Sequence, residues 1–184
     1  IRRHTGESFD DDGRIASAGT VDEAVLATLM DNPYFAKKPP KSLDRNAFDV
    51  SCLEKLSVEN GAATLVSFTA HSITKASAHF PKSPLRWIVV GGGTRNPAIM
   101  TALSGLLDTP VESAKTFGWQ PDYIEAQAFA YLAARHIKKL PITFPGTTGV
   151  NQPLTGGRFA PASGDKKKPP ETEAFVSCNR MRSS

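Results

Sequence analysis

The chain has 184 residues, with 22 basic (Lys and Arg) and 18 acidic (Asp and Glu) side chains and a formal net charge of +4. This charge is small for the length, so composition does not indicate a nucleic-acid-binding protein. Hydrophobic residues make up 40% of the chain, which supports a buried core and argues against wholesale disorder. No apolar run approaches the roughly 18 residues that span a bilayer, so a membrane protein is excluded.

The cysteines and the first residues indicate a compartment. Cys52 and Cys178 are too few for a disulfide scaffold and fit a reducing environment. No charged-then-apolar signal segment follows Ile1, so a cytoplasmic location is predicted. The opening residues read as the middle of a longer sequence, and the chain is therefore interpreted as a fragment.

The first predicted helix follows an acidic turn. Asp10-Asp11-Asp12-Gly13 is interpreted as a solvated turn, because Val21 stands where a calcium loop requires a glutamate. Thr20 and Glu23 predict a capping box at the start of a helix that must end by Asn32, before a proline.

A Pro-broken basic loop leads to a second helix. Tyr34 and Phe35 in this loop either anchor on the core or belong to a loop that lines a site for an anionic ligand. Apolar residues at the helical period then predict a helix from about Val58 to His79, which Pro81 ends.

The second half of the chain alternates strands and helices, which is an α/β pattern. Leu85–Val90 is typical of a buried parallel strand, and Asn96-Pro97 predicts the start of the next helix. A short strand at 110–113 and a helix from Pro121 to about Lys138 follow. Two strands are too few to cover four helices, so we expect an incomplete sheet flanked by helices, with further strands outside this chain.

Three glycines, Gly91-Gly92-Gly93, follow the first strand and precede the helix at Asn96. A glycine run in this place lets the backbone approach a ligand and presents N–H groups that favour phosphate. The run matches neither GxGxxG nor a Walker motif. It is interpreted as a ligand-binding loop, with a simple strand-to-helix turn as the alternative.

Asp122 and Glu125 form a second motif, at the start of the last helix. Their spacing fits a capping box, which would account for both carboxylates. Glu125 also begins a helical stripe continued by Phe129, Leu132 and His136, so it can equally lie at the rim of a cleft and bind sugar hydroxyls. Spacing alone does not separate these two interpretations.

As an ordered set, these motifs resemble the anhydro-N-acetylmuramic acid kinase family. The resemblance rests on GGGTRNPAIM, DYIEAQAFAYLAARHIKKLP and PGTTGV, and on the upstream segment 2–45. It covers roughly residues 1–162 and would make this chain a C-terminal portion of such a kinase. It implies a partial lobe of the actin-like ATPase (ribonuclease H-like) fold, which sugar kinases and heat-shock ATPases share.

The resemblance also implies an activity and the residues that serve it. The family opens the ring of 1,6-anhydro-N-acetylmuramic acid with water and phosphorylates O6 from ATP, giving N-acetylmuramic acid 6-phosphate in bacterial cell-wall recycling. Mg²⁺ is expected to be held mostly by the phosphates. Matched to the family pattern, the nucleotide side takes Gly91, Gly92, Gly93 and Asn96, and the sugar side takes Glu125.

Three parts of the family pattern are missing from this sequence: the Gly-Thr-Ser-rich phosphate loop, the catalytic Asp and the Asp-Thr-Gly-Pro-Gly-Asn segment. The chain alone is therefore expected to be inactive. The expected partners are an amino sugar and ATP, with a second copy in a homodimer as a further candidate, but neither nucleic acid nor membrane. A non-catalytic nucleotide-binding module and an interaction domain are the alternatives. Residues 163–184 carry a Lys-Lys-Lys-Pro-Pro run and are predicted to be a disordered tail.

Overall fold

The computed structural model describes residues 1–160, so the predicted tail lies outside the described residues. In this part of the chain, short 3-10 turns separate seven α-helices and two strands. The helices are α1 Arg2–Thr5, α2 Arg14–Ala18, α3 Glu23–Met30, α4 Val58–Thr74, α5 Pro97–Leu106, α6 Ile124–Ile137 and α7 Pro145–Thr148, and the strands are β1 Trp87–Val89 and β2 Val111–Ser113.

The helix α4 lies at the centre of the molecule and packs against α2, α3 and α5. Its small buried residues, Ala63 and Ala70, let neighbouring helices approach closely, while Leu26, Leu29 and Leu103 fill the space between them. Thr64 is also fully buried. Its hydroxyl donates to the carbonyl oxygen of Asn60 and accepts the backbone N–H of Asp22, so the helix-to-helix contact includes a satisfied polar bridge.

Two early glycines are required by close packing. A Cβ on Gly19 would collide with the backbone carbonyl of Glu59 in α4, and a Cβ on Gly13 would collide with the side chain of Asn96. Gly13 also has a φ of 66°, which glycine adopts without strain. The turn and linker around α2 are therefore fitted against α4 and the start of α5.

The start of α3 differs from the prediction. The capping box of Thr20 and Glu23 is wrong: Asp22 is the N-cap, and its carboxylate accepts the N–H of Val25 at 3.0 Å. Thr20 instead donates its backbone N–H to the side chain of Asn60, because this linker is fixed against α4. Long-range packing therefore decides which of two neighbouring capping residues is used.

The acidic turn was predicted to be solvated, but one of its carboxylates also forms hydrogen bonds within the chain. Asp11 and Asp12 are exposed, but Asp10 is partly buried. Its carboxylate accepts the backbone N–H groups of Ile15 and Ala16 at 2.8 and 2.9 Å. Asp10 thus satisfies donors in the first turn of α2, where a negative charge is favourable.

The second predicted helix is largely confirmed. The α-helical part, α4, begins after the N-cap Ser57, ends at Thr74, and continues as a 3-10 turn over Lys75–His79. Of the two aromatic residues in the preceding loop, Phe35 is confirmed as an anchor, because it packs against Phe48 and against Phe68 of α4. The described residues contain no helix long and apolar enough to cross a membrane.

The two strands form a parallel pair, with Trp87 opposite Val111 and Val89 opposite Ser113. The helix α5 makes the crossover between them, as the α/β pattern predicts. Both strands are shorter than predicted. The fold is thus a helix-rich α/β arrangement with a two-stranded sheet in its described part.

The last long helix, α6, contains no buried residue. The predicted stripe is therefore not a core face, since Phe129 is 65% exposed. Contacts near the end of α6 hold the loop that follows it: the guanidinium of Arg135 donates to the carbonyl of Pro141, and Nδ1 of His136 lies 2.6 Å from the carbonyl oxygen of Gly156. Because of these bonds, the C-terminal loop folds back along the last turns of α6.

Candidate functional site

The glycine run lies at the carboxyl end of β1. Gly91 has a φ of 79°, and a 3-10 turn over Gly92–Arg95 leads to Asn96. The amide oxygen of Asn96 accepts the N–H of Ile99, which makes it the N-cap of α5, followed by a proline as predicted. Ligands of open α/β sheets bind beyond the carboxyl ends of the strands, so the run is in a suitable place.

Only the first of the three glycines is required by the backbone. The positive φ of Gly91 is strained for other residues. Gly92 and Gly93 have no such φ, and a Cβ on Gly93 would meet nothing within 4 Å. A Cβ on Gly92 would meet only Nη2 of Arg95, at 3.8 Å. A strand-to-helix turn therefore explains one glycine, and the space beside the other two is open.

The predicted capping box at the start of α6 is not formed. Pro121–Tyr123 make a 3-10 turn, α6 begins at Ile124 after Tyr123, and no side chain caps it. The carboxylate of Asp122 instead pairs with Arg95 at 3.4 Å. The capping interpretation of Glu125 is therefore wrong. Its carboxylate is exposed and has no ion pair or hydrogen bond within the described residues.

The glycine turn and the start of α6 enclose an open pocket of about 680 Å³. The two sides are joined by a hydrogen bond from the N–H of Gly91 to the carbonyl oxygen of Pro121 at 3.0 Å. Within the described chain, the pocket is lined by Val90, Gly91, Gly92, Arg95, Pro121, Asp122, Ile124, Glu125 and Ala128. The wall thus carries one cation, two carboxylates and exposed glycine backbone.

The structure brings some of the predicted site residues together and separates others. Gly91, Gly92 and Glu125 line the same pocket, although more than 30 residues separate them in sequence. Gly93 does not line it. Asn96 lines a different cavity, of about 780 Å³, which lies beside α4. The 3-10 turn that carries Gly93 therefore stands between these two spaces.

Sequence reasoning missed Arg95 and the pairing role of Asp122. The signal for Arg95 was its position, a basic residue within a glycine turn. Nothing in the sequence indicated its partner, because the pairing depends on how α6 is placed against the turn. Among the residues that line this pocket, Arg95 carries the one positive charge.

The larger cavity contains a carboxylate with a shifted pKa. The backbone N–H of Ser51 donates to Asp49 at 2.9 Å. This bond, assisted by the Ser51 hydroxyl, lowers the pKa of the Asp49 carboxyl below its usual value. Asp49 is fully exposed, so the shift describes a local turn and does not identify a reactive group. The described residues contain no group of three or more His, Cys, Asp or Glu side chains placed to hold a metal.

Comparisons with known proteins identify the family of this chain. The model of the family described as anhydro-N-acetylmuramic acid kinase matches residues 1–162. A relative of that name from Caulobacter vibrioides is 58% identical over 151 residues, which are 82% of this chain and 41% of the relative. Relatives of the same name from Methylorubrum populi and Rhodospirillum rubrum are each 48% identical, over 85% and 89% of this chain and 42% and 44% of their own lengths.

This chain spans less than half the length of these curated relatives. The residues that carry the resemblance in sequence, from the segment 2–45 to PGTTGV, fall within the matched range 1–162. The recognition made from the sequence is thus confirmed. The chain belongs to the anhydro-N-acetylmuramic acid kinase family.

Proposed function

We propose that this chain forms part of a cytoplasmic kinase that phosphorylates 1,6-anhydro-N-acetylmuramic acid from ATP while water opens the anhydro ring. The observation that supports this most is the pocket at the carboxyl end of β1, where the glycine turn and Glu125 meet. In the proposal, the glycine side receives the nucleotide and the α6 side receives the sugar. The fold would be one partial lobe of an actin-like ATPase, with residues 1–162 as its C-terminal part.

The nucleotide side of the pocket has open space beside its glycines. Gly91 is needed for the turn, but Gly92 and Gly93 are needed neither for the backbone conformation nor for packing in the described chain. Their lack of side chains leaves the backbone accessible to a ligand. We propose that Gly91 and Gly92 form the nucleotide wall of the pocket and that Gly93 belongs to the same turn behind this wall. Asn96 supports this wall as the cap of α5 rather than by lining the pocket.

The sugar side of the pocket carries an exposed hydrogen-bond acceptor, the carboxylate of Glu125. With no cap to form and no partner in the described chain, the Glu125 carboxylate is available to a ligand. A carboxylate accepts hydrogen bonds from sugar hydroxyls, each worth roughly 1.5–3 kcal/mol when the acceptor is charged. We propose that Glu125 orients the sugar in this way. Helix α6 then acts as a rigid support for that carboxylate.

ATP would enter this site with Mg²⁺. Mg²⁺ in kinase sites is held largely by phosphate oxygens and water, with one or two carboxylates. The described residues contain no group of three or more His, Cys, Asp or Glu side chains placed to hold this ion, so in the proposal the phosphates hold it. When bound, the ion would neutralise phosphate charge during transfer. The phosphate loop and the catalytic Asp of the family pattern lie outside this sequence, so activity requires a longer chain.

Kinetics on a full-length test kinase would examine the nucleotide side. This kinase is the Caulobacter vibrioides relative, with its matched segment replaced by the matched 151 residues of this chain. We expect it to phosphorylate the anhydro sugar. Gly92→Val should raise the dissociation constant for ATP about tenfold or more, since a branched side chain fills the space of the ligand. Gly105→Val in α5 is a control, because a Cβ there also meets nothing within 4 Å.

The sugar side is tested by Glu125→Gln in the same kinase. Loss of the charge should reduce kcat/KM for the sugar about tenfold or more, since 1.4 kcal/mol is a factor of ten. The matched control is Glu59→Gln, because Glu59 is also the exposed second residue of a long helix, α4. Both substitutions should change the melting temperature equally little. Equal kinetics for the two variants would remove Glu125 from the site, and an inactive test kinase would contradict the proposed function.

A further inference from the structure

Two segments form the pocket wall, and a hydrogen bond and an ion pair join them. The N–H of Gly91 donates to the carbonyl oxygen of Pro121, and Arg95 forms an ion pair with Asp122. These two interactions connect the glycine turn to the last residues before α6. No residue of α6 is buried, so packing into the core contributes little to where its first turn lies relative to the glycines.

The ion pair itself is open to water. Nη2 of Arg95 lies 3.4 Å from Oδ1 of Asp122, and the two side chains are 71% and 48% exposed. Exposed pairs of this kind contribute only about 0–1 kcal/mol to stability. The pair therefore adds little to the stability of the chain. Its position points to another role, because one end lies within the glycine turn and the other lies three residues before Glu125.

The charges of the pocket wall give a second reason to assign a role to the pair of Arg95 and Asp122. Asp122, in the 3-10 turn before α6, and Glu125, in the first turn of α6, both line this pocket. Without Arg95, this wall would present two carboxylates to a ligand that carries phosphates. With the pair formed, the charge of Asp122 is balanced and Glu125 is left as the acceptor. Arg95 thus separates the roles of two nearby acidic groups.

Building on the proposed function, we propose that Arg95 and Asp122 are a positioning pair, which fixes the separation between the nucleotide wall and Glu125. Phosphoryl transfer needs the two substrates held within a narrow range of distance and angle, and small displacements are costly in rate. The pair acts through Glu125 and the glycine turn and does not itself bind a substrate. Its loss should therefore lower kcat more than it weakens the binding of ATP alone.

The kinetic test uses Arg95→Gln, Asp122→Asn, the double variant and the charge swap Arg95→Asp with Asp122→Arg, all in the full-length test kinase. Each single change should lower kcat about threefold to fivefold, the most that an exposed pair of about 1 kcal/mol can contribute, and change the ATP dissociation constant less than twofold. The double variant should be no worse than either single one, and the swap should restore most of kcat. Arg14→Gln is the control, because Arg14 forms a similar pair with Glu7, at 3.5 Å with 72% and 48% exposure, away from the pocket.

Two kinetic results would overturn the proposal. If Arg95→Gln weakens ATP binding tenfold and the swap does not rescue it, Arg95 binds the ligand directly. If all four variants keep full kcat, the pair has no role. An inactive parent kinase, or an unchanged Glu125→Gln, would instead count against the proposed function.

A measurement on the 184-residue chain tests the positioning without any activity. Amide hydrogen exchange of residues 122–125 should become at least threefold faster in Arg95→Gln and in Asp122→Asn, and should recover in the swap. In Arg14→Gln the same amides should be unchanged. If exchange in residues 122–125 is the same in every variant, the ion pair does not hold the start of α6.

Discussion

The helical body around α4 and the pocket wall at the glycine turn and α6 are held in place differently. In the body, Gly19 lies where the backbone of Glu59 leaves no room for a Cβ, and the buried hydroxyl of Thr64 bridges two helices. In the wall, a Cβ on any of the three glycines would meet nothing closer than 3.8 Å, and α6 buries no residue. The body is specified by its own contacts, whereas the wall leaves its charged groups and glycine backbone exposed.

Gly19 should give the largest difference between the two regions. Gly19→Ala places a Cβ against the carbonyl of Glu59, and the α4 backbone can move only by disturbing the core. We expect a loss of about 3 kcal/mol in the free energy of unfolding. Gly61→Ala in α4, where a Cβ meets nothing within 4 Å, should instead stabilise by about 0.5–1 kcal/mol. Urea unfolding of both variants measures the contrast, and equal stabilities would show that the linker is not fitted against α4.

Thr64 tests the polar bridge of the body. Thr64→Val keeps the shape of the side chain but leaves the partly buried N–H of Asp22 without its acceptor. The expected cost is about 1–3 kcal/mol. Thr69→Val is the control, because Thr69 is exposed on the same helix and bonds only to Leu65 in the preceding turn. A change of less than about 0.5 kcal/mol is expected there. Similar melting temperatures for the two variants would contradict the bridge.

Amide exchange in the unsubstituted chain compares the regions directly. We expect the central amides of α4 to exchange at least tenfold more slowly than those of α6, because α4 lies among three helices and α6 contains no buried residue. The open sheet edge should leave β1 and β2 intermediate. Strong protection throughout residues 85–138, equal to that of α4, would contradict this contrast.

Asp49 gives the smallest effect. Its lowered pKa means that its contribution to stability is present above the unfolded pKa of about 3.9 and is lost as pH falls through the lower, folded value. An NMR titration of the Asp49 carboxyl measures this. Ser51→Ala removes the hydroxyl but keeps the backbone N–H, so the pKa should rise only part of the way. A folded-state pKa at or above the usual value would contradict the turn geometry.

Local sequence signals determined much of the fold. The helical period predicted the extent of α4, and capping chemistry predicted the start of α5 at Asn96-Pro97. Runs of β-branched residues predicted the order of the two strands. Each of these signals acts over a few positions. Family motifs further identified Gly91, Gly92 and Glu125, which one pocket brings together. These features could be predicted because each depends on neighbours in the chain.

The two wrong capping boxes show what the sequence alone did not determine. Thr20 and Asp22 are both good caps, and the fit of the linker against α4 selects Asp22. Asp122 and Glu125 have the spacing of a capping box, but Arg95, brought close by the glycine turn, takes the carboxylate of Asp122. The sequence determined which groups can accept or donate. The tertiary structure decided which partners they find, because that depends on distances between segments far apart in the chain.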